Sequence, residues 1–271
     1  MNRRKSAARN LPSALDDENL KGRLEGSRLA VFLDYDGTLT PIVREPDQAS
    51  LPIKTRNVLE KLAESCPVVI LSGRDVEYLR TMVGLKKIIY AGSHGFDIAA
   101  WNGKELGNAN WHKFLPVLDA AEEKLRLELE DIAGALVERK RFAIAVHYRK
   151  VAGSRLGSLK RRFDLVALQF PSLRKIKGKR VLELLPNVDW NKGTALVSIL
   201  NALYPKSKVI PVFIGDDQGD EPAFHMIKEK GVRILVGKAN LSSNADYSLH
   251  NYVEVRVFLE RLIQILRKTK T

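Results

Sequence analysis

A single cysteine, Cys66, stands among the 271 residues of the chain, so no disulfide can close within it. That suits a reducing compartment, and a cytoplasmic protein is expected. No apolar run reaches the roughly 20 residues of a membrane-spanning helix. No apolar leader core follows the basic opening Met1-Asn2-Arg3-Arg4-Lys5-Ser6. The histidines His94, His112, His147, His225 and His250 are scattered, which with the lone thiol argues against a zinc centre. Aromatic residues make up only 7%, and no nucleic-acid-binding signature accompanies the net charge of +13. The densest basic run is Leu173-Arg174-Lys175-Ile176-Lys177-Gly178-Lys179-Arg180. A positive field also raises the encounter rate of small phosphorylated molecules. A small-molecule substrate is therefore expected, with neither nucleic acid nor a membrane as partner, and a monomer.

What is present is a chain with 45% hydrophobic residues, enough to bury a sizeable core in one large domain or two. Leu29-Ala30-Val31-Phe32-Leu33 is a continuous apolar run, the pattern of a strand buried on both faces of a parallel sheet. It ends in Asp34-Tyr35-Asp36-Gly37-Thr38. Alternation along a strand sends i and i+2 to one face, so Asp34 and Asp36 can converge on one site. A carboxylate there can attack phosphorus to give an aspartyl-phosphate while a second one shuttles the proton. An acidic turn is the plain alternative, since Asp and Gly are ordinary turn residues.

Three further pieces follow in order. Val68-Val69-Ile70-Leu71 is a second buried-strand pattern and ends in Ser72-Gly73-Arg74. Lys192 opens a helical pattern through Ala195, Leu196, Ile199, Leu200 and Leu203. Val209 to Ile214 is a third strand, ending in Gly215-Asp216-Asp217-Gln218-Gly219-Asp220-Glu221. Carboxylates at that density repel one another unless a cation offsets them, which points to a hard divalent metal on oxygen ligands. Taken singly, Ser72 reads as a turn residue, Lys192 as a solvated charge and the acids as an exposed loop.

In that order, the four motifs resemble those of the haloacid-dehalogenase-like phosphatases. The resemblance implies that Asp34 attacks phosphorus, that Asp36 protonates the leaving oxygen and then activates water, and that Ser72 and Lys192 bind the phosphoryl oxygens. It implies Mg²⁺ as cofactor, held by the Asp34 side chain, the Asp36 carbonyl and Asp216. Asp217 and Asp220 are expected to orient waters or brace Lys192. Mg²⁺ suits phosphoryl transfer, which needs charge neutralisation more than covalent help.

The implied fold is α/β, a Rossmann-like haloacid-dehalogenase core with a parallel sheet, interrupted by an inserted α+β cap. Residues 1–26 read as a basic, disordered tail, 27–109 and 186–271 as the catalytic core, and 110–185 as the cap. Within the insertion, helical patterns run over Lys113–Leu129 and Lys160–Leu168. Strand candidates are Ala135–Lys140, Ala143–Arg149 and Arg180–Leu184. A cap of this kind closes over a substrate, excludes water and supplies specificity.

The borders of the insertion narrow the resemblance to the trehalose-6-phosphate phosphatase family. Asp34-Tyr35-Asp36-Gly37-Thr38-Leu39-Thr40-Pro41-Ile42 is close to that family's first motif. Ala91-Gly92-Ser93-His94-Gly95-Phe96-Asp97, Glu138-Arg139-Lys140, Val146-His147-Tyr148-Arg149 and Gly178-Lys179-Arg180-Val181-Leu182-Glu183 resemble later ones. Gly219, Asp97 and Leu185 depart from residues frequent there (Thr, Glu and Arg). The resemblance implies hydrolysis of trehalose 6-phosphate, the last step of trehalose biosynthesis. Glu138, Lys140, Lys179 and Glu183 would hold the distal glucose, with Arg74, His94 and Arg149 as further substrate contacts. Cross-strand ion pairs on an exposed sheet face are the alternative for the first four. A phosphatase for another sugar phosphate, a sugar-phosphate sensor without turnover and a basic nucleic-acid-binding protein are the rival functions.

Overall fold

The computed structural model describes residues 11–42, 50–100, 109–178, 180–205, 207–237 and 243–268. In chain order the first elements are α1 (Glu18–Leu24), β1 (Leu29–Leu33), α2 (Ile53–Leu62), β2 (Val68–Leu71), α3 (Val76–Val83), β3 (Ile89–Gly92) and β4 (Asp97–Ala99). Then come α4 (Leu115–Leu129), β5 (Leu136–Lys140), β6 (Ala143–His147), α5 (Gly153–Gln169), β7 (Leu173–Gly178) and β8 (Val181–Pro186). The chain closes with α6 (Lys192–Leu203), β9 (Ile210–Gly215), α7 (Glu221–Met226), β10 (Val232–Val236), β11 (Tyr247–Leu249) and α8 (Tyr252–Lys268). Two compact units result. One is drawn from the described residues of Met1–Leu106 and Trp190–Thr271, the other from Gly107–Asp189.

The first unit is built on a seven-stranded sheet in the order β11-β10-β9-β1-β2-β3-β4. Every pairing is parallel except β3 with β4. From β1 the chain steps outward to β2 and β3, then returns to β9 on the other side. That reversal is a topological switch point, where the connections diverge and leave a crevice at the carboxyl ends of the strands. Alternation along β1 feeds two cores. Leu29, Val31 and Leu33 join Leu59, Val255 and Leu259 on the side of α2 and α8. Ala30 and Phe32 join Ala195, Leu196, Phe213 and Phe224 on the side of α6 and α7. This continuous burial is the physical meaning of the unbroken apolar run.

Residues 11–26 correct the expected disordered tail. Asp17 caps α1 by accepting from the Leu20 N–H, and Leu20 and Leu24 are buried with Phe258 and Leu262 of α8. Ahead of the helix, Ala14 N–H donates to the Ser248 carbonyl at 3.0 Å, and Ser248 N–H donates to the Pro12 carbonyl at 2.9 Å. This segment thus covers the outer edge of β11, a strand edge that would otherwise present unpaired backbone groups. Its polar composition hid a Leu pair at i, i+4. Residues 1–10 lie outside the described residues.

The second unit is a four-stranded antiparallel sheet, β5-β6-β8-β7, with α4 and α5. The basic run that composition singled out is largely β7, and its Lys175 pairs with Asp164 of α5. Arg139 reaches Asp119 and Glu122 of α4, so the odd-numbered residues of β5 face the helices. Glu138 and Lys140 therefore share the opposite face, where Glu138 aligns with Ala145 and Ala145 with Glu183. The last strand of this unit runs through Pro186, which carries the division to Asp189. Among the described residues, no helix is long and apolar enough to cross a membrane.

Candidate active site

The parity of β1 decides where Asp34 points. Its N–H still pairs with the Ile214 carbonyl of β9 at 2.9 Å, so it continues the even-numbered face, on the side of α6. At the start of α6 the Asn191 side chain accepts from the Gly193 and Thr194 N–H groups, and Thr194 Oγ1 accepts from the Asn191 N–H at 2.8 Å. This capping box fixes the first turn of the helix and with it Lys192. The Lys192 ammonium donates to Asp34 Oδ1 and to Asp220 Oδ1, each at 2.7 Å, and all three residues are buried. The Lys192 expected to be at the site is thus joined to a residue 158 positions away, just past the end of β1.

Asp220 is anchored from both sides. Its Oδ2 accepts from the Asp216 and Asp217 N–H groups at 2.9 and 3.1 Å. The cluster of Asp34, Asp216 and Asp220 offers one carboxylate oxygen each within 4.8 Å of one another. Asp217 is exposed and accepts from the Gly219 N–H, closing the turn before α7. Burial pushes the Asp34 carboxyl well above the ordinary carboxylate range; Lys192 opposes that shift, and Asp220 and Asp216 add to it. Burial alone would lower the Lys192 ammonium, but the carboxylates of Asp220 and Asp34 outweigh it and hold the lysine charged.

After Asp34 the chain turns sharply. Gly37 has φ +89°, and its N–H donates to the Thr40 carbonyl at 3.0 Å. A Cβ at Gly37 would lie 2.4 Å from Asp216 Oδ2, so a glycine lets the Asp216 carboxylate press against this turn. Oxygen donors gathered this closely, with backbone pressed against one of them, fit a hard divalent cation.

Asp36 is more open than Asp34, and Arg74 grips it. Arg74 Nε and Nη2 donate to its two carboxylate oxygens at 2.7 and 2.5 Å. Arg74, expected on the substrate, bonds the second aspartate. Its backbone N–H donates to Ser72 Oγ at 3.2 Å, and its guanidinium carbon lies 4.6 Å from the centre of the Tyr78 ring. Tyr78 escaped the sequence reading; its spacing of one helical turn from Arg74, at the start of α3, was the available signal. Ser72 is buried at the end of β2. The adjoining loop braces it: His94 N–H donates to the Ser72 carbonyl at 2.9 Å and Ser93 N–H to the Arg74 carbonyl at 2.7 Å. Ser93 and His94 both hold positive φ, 48° and 59°. The His94 ring lies where a Cβ at Gly73 would meet it at 2.9 Å. Non-glycine residues in this conformation carry strain that the surrounding bonds must hold.

The residues expected to grip the sugar lie in the second unit. Lys140 Nζ donates to Glu183 Oε1 at 2.6 Å, and both side chains are buried. Glu138 Oε2 lies 2.6 Å from His147 Nε2. Arg149 sits in the exposed turn after β6, and Lys179 falls outside the described residues. Glu138, Lys140 and Glu183 therefore share one sheet face, as cross-strand neighbours.

Comparison with known proteins agrees with this architecture. A family described as Trehalose-phosphatase matches residues 32–252. The chain is 39% identical to trehalose-phosphate phosphatase B of Arabidopsis thaliana over 271 residues, covering 95% of this chain and 72% of that protein. It is 40% identical to the trehalose-phosphate phosphatase of Mycobacterium bovis (strain BCG / Pasteur 1173P2), covering 95% of this chain and 67% of that one. The structure superposes on the C-terminal domain of the C. albicans trehalose-6-phosphate phosphatase with a TM-score of 0.77 at 25% identity, covering 96% and 99% of the two chains. The motifs, the parallel α/β core and these relatives agree: the chain belongs to the trehalose-phosphatase family.

Proposed function

We propose that the chain hydrolyses trehalose 6-phosphate to trehalose and phosphate through an aspartyl-phosphate on Asp34. The observation that carries this reading is the buried Asp34 carboxylate beside the Lys192 ammonium, 2.7 Å apart, with Asp36 two residues on, where the Gly37 turn opens. A carboxylate Oδ of Asp34 attacks phosphorus in line. The bond from phosphorus to the sugar 6-oxygen breaks, and Asp36 gives that oxygen a proton. Water then attacks the phosphorus, Asp36 takes its proton, and phosphate leaves with the Asp34 carboxylate restored. Ser72 and Lys192 hold the phosphoryl oxygens, and Lys192 offsets their charge. Asp34, Asp216 and the Asp36 carbonyl are the groups that would hold Mg²⁺. When bound, the ion supplies charge neutralisation on the phosphoryl group.

The second unit acts in this reading as the specificity cap, with Glu138, Lys140, Lys179 and Glu183 toward the sugar hydroxyls. Sites built from hydrogen-bonding groups reject analogues that leave those groups unpaired. His94 and Arg149 are further substrate contacts in the same reading. The protein works in this reading as a monomer on a small molecule, in the cytoplasm, a compartment that the lone cysteine supports because no internal disulfide has to be kept.

The test is phosphate release from trehalose 6-phosphate, sucrose 6-phosphate and glucose 6-phosphate with and without Mg²⁺, beside Asp34→Asn. The expected result is Mg²⁺-dependent release that favours trehalose 6-phosphate and vanishes in the variant. Preference for another ester would keep the Asp34 chemistry and discard the cap assignment. No release from any ester would leave a sugar-phosphate sensor as the better reading.

A further inference from the structure

An open carboxylate has little packing to fix its rotamer, and the Asp36 side chain is 40% exposed. Arg74 supplies what packing does not. Its two donors occupy both carboxylate oxygens, and a planar fork of this kind sets the plane of the carboxylate as well as its place. The guanidinium is itself held. Tyr78 lies under it, its side chain is only 17% exposed, and its backbone is tied to Ser72 Oγ on one side and the Ser93 N–H on the other. A carboxylate has about four acceptor positions. The fork takes two and leaves the others for a water or a departing oxygen.

We infer that Arg74, stacked on Tyr78, is the positioning residue that aims Asp36 for both of its proton transfers, and is not a contact to the sugar phosphate. The inference rests on the phosphatase reading above. It has a sharp consequence, because the attack of Asp34 on phosphorus moves no proton. With an aryl phosphate the phenolate departs unprotonated, so kcat/KM reports that attack alone. The value of kcat then reports hydrolysis of the aspartyl-phosphate, in which Asp36 takes a proton from water.

The experiment compares the full-length wild type with Arg74→Lys, which keeps the charge but loses the fork, and with Arg74→Gln and Tyr78→Leu. Each is assayed with Mg²⁺ on 4-nitrophenyl phosphate and trehalose 6-phosphate. For the aryl ester, both Arg74 variants should lose on the order of 100-fold in kcat while kcat/KM stays within about threefold of wild type. A burst of nitrophenolate near one equivalent per enzyme should appear. For trehalose 6-phosphate, kcat and kcat/KM should fall together, and Tyr78→Leu should move every value the same way by a smaller factor. As a measurement independent of the aryl ester, added guanidinium should restore turnover of trehalose 6-phosphate to Arg74→Ala in a concentration-dependent way.

Equal losses of kcat/KM on both esters would mark a merely structural role and overturn the inference. So would a raised KM for trehalose 6-phosphate with kcat intact on both, the signature of a substrate contact, or a failure of guanidinium to restore turnover. These outcomes leave the phosphatase reading standing. Wild type releasing phosphate from neither ester defeats that reading, and the role of Arg74 with it.

Discussion

The Lys192 ammonium lies 2.7 Å from Asp34 Oδ1, and the pair is buried. Asp220, at the same distance from the ammonium on its other side, completes a buried triad. One cation thus offsets two buried carboxylates, and removing it strands both. Lys192→Met should lower folding stability by about 3–5 kcal/mol, because a buried ion pair broken on one side leaves an uncompensated charge. Phosphate release should vanish as well. Urea midpoints and turnover on trehalose 6-phosphate check the two effects, and a variant of wild-type stability would show that the triad is solvated.

The turn at Gly37 exists to admit the Asp216 carboxylate. In Gly37→Ala a Cβ would sit 2.4 Å from Asp216 Oδ2, on a residue whose φ is +89°. Displacing Asp216 should raise the Mg²⁺ concentration for half-maximal activity by roughly 10- to 100-fold, the scale of losses from disturbed ligand support. Backbone strain should cost about 1–3 kcal/mol. Activity titrated against Mg²⁺ after chelation by EDTA reads the first effect, and thermal unfolding in EDTA reads the second.

Lys140 and Glu183 pair at 2.6 Å across the second unit's sheet. On the proposed cap assignment, Glu183→Gln should raise KM for trehalose 6-phosphate by about tenfold, the scale of one lost hydrogen bond to a charged group. The kcat/KM for 4-nitrophenyl phosphate, which has no sugar to grip, should stay near wild type. Losses of equal size on both esters would assign the pair to folding alone.

The helix before β1 packs into the folded core through Leu20 and Leu24. Leu24 is 1% exposed, so Leu24→Ala should destabilise the protein by about 2–5 kcal/mol. The exposed neighbour Lys21→Ala should change stability by less than about 0.5 kcal/mol. Denaturant unfolding of both variants distinguishes a docked helix from a dispensable tail.

The apolar runs of β1, β2 and β9 were legible because a strand covered by helices on both faces needs hydrophobic residues at every position. The helix beginning at Lys192 was legible for a related reason: apolar residues recur along it at helical spacing, from Ala195 to Leu203. The strand over Leu173–Gly178 was missed since five cations sit among the eight residues of the run containing it and charge masked the extended pattern. The helix over Glu18–Leu24 was missed because two buried leucines among charged residues are a faint signal.

The sequence alone determined the acidic strand ends, the lysine at a helix start and the order in which they occur, since these are matters of residue type and short-range spacing. Only the tertiary structure decided that Lys192 lies between Asp34 and Asp220, and that Arg74 serves Asp36. Both arrangements join residues far apart in the chain, and no local pattern records which charges will share a buried space. The parallel strand order sets those partners, because it brings the ends of β1, β2 and β9 side by side.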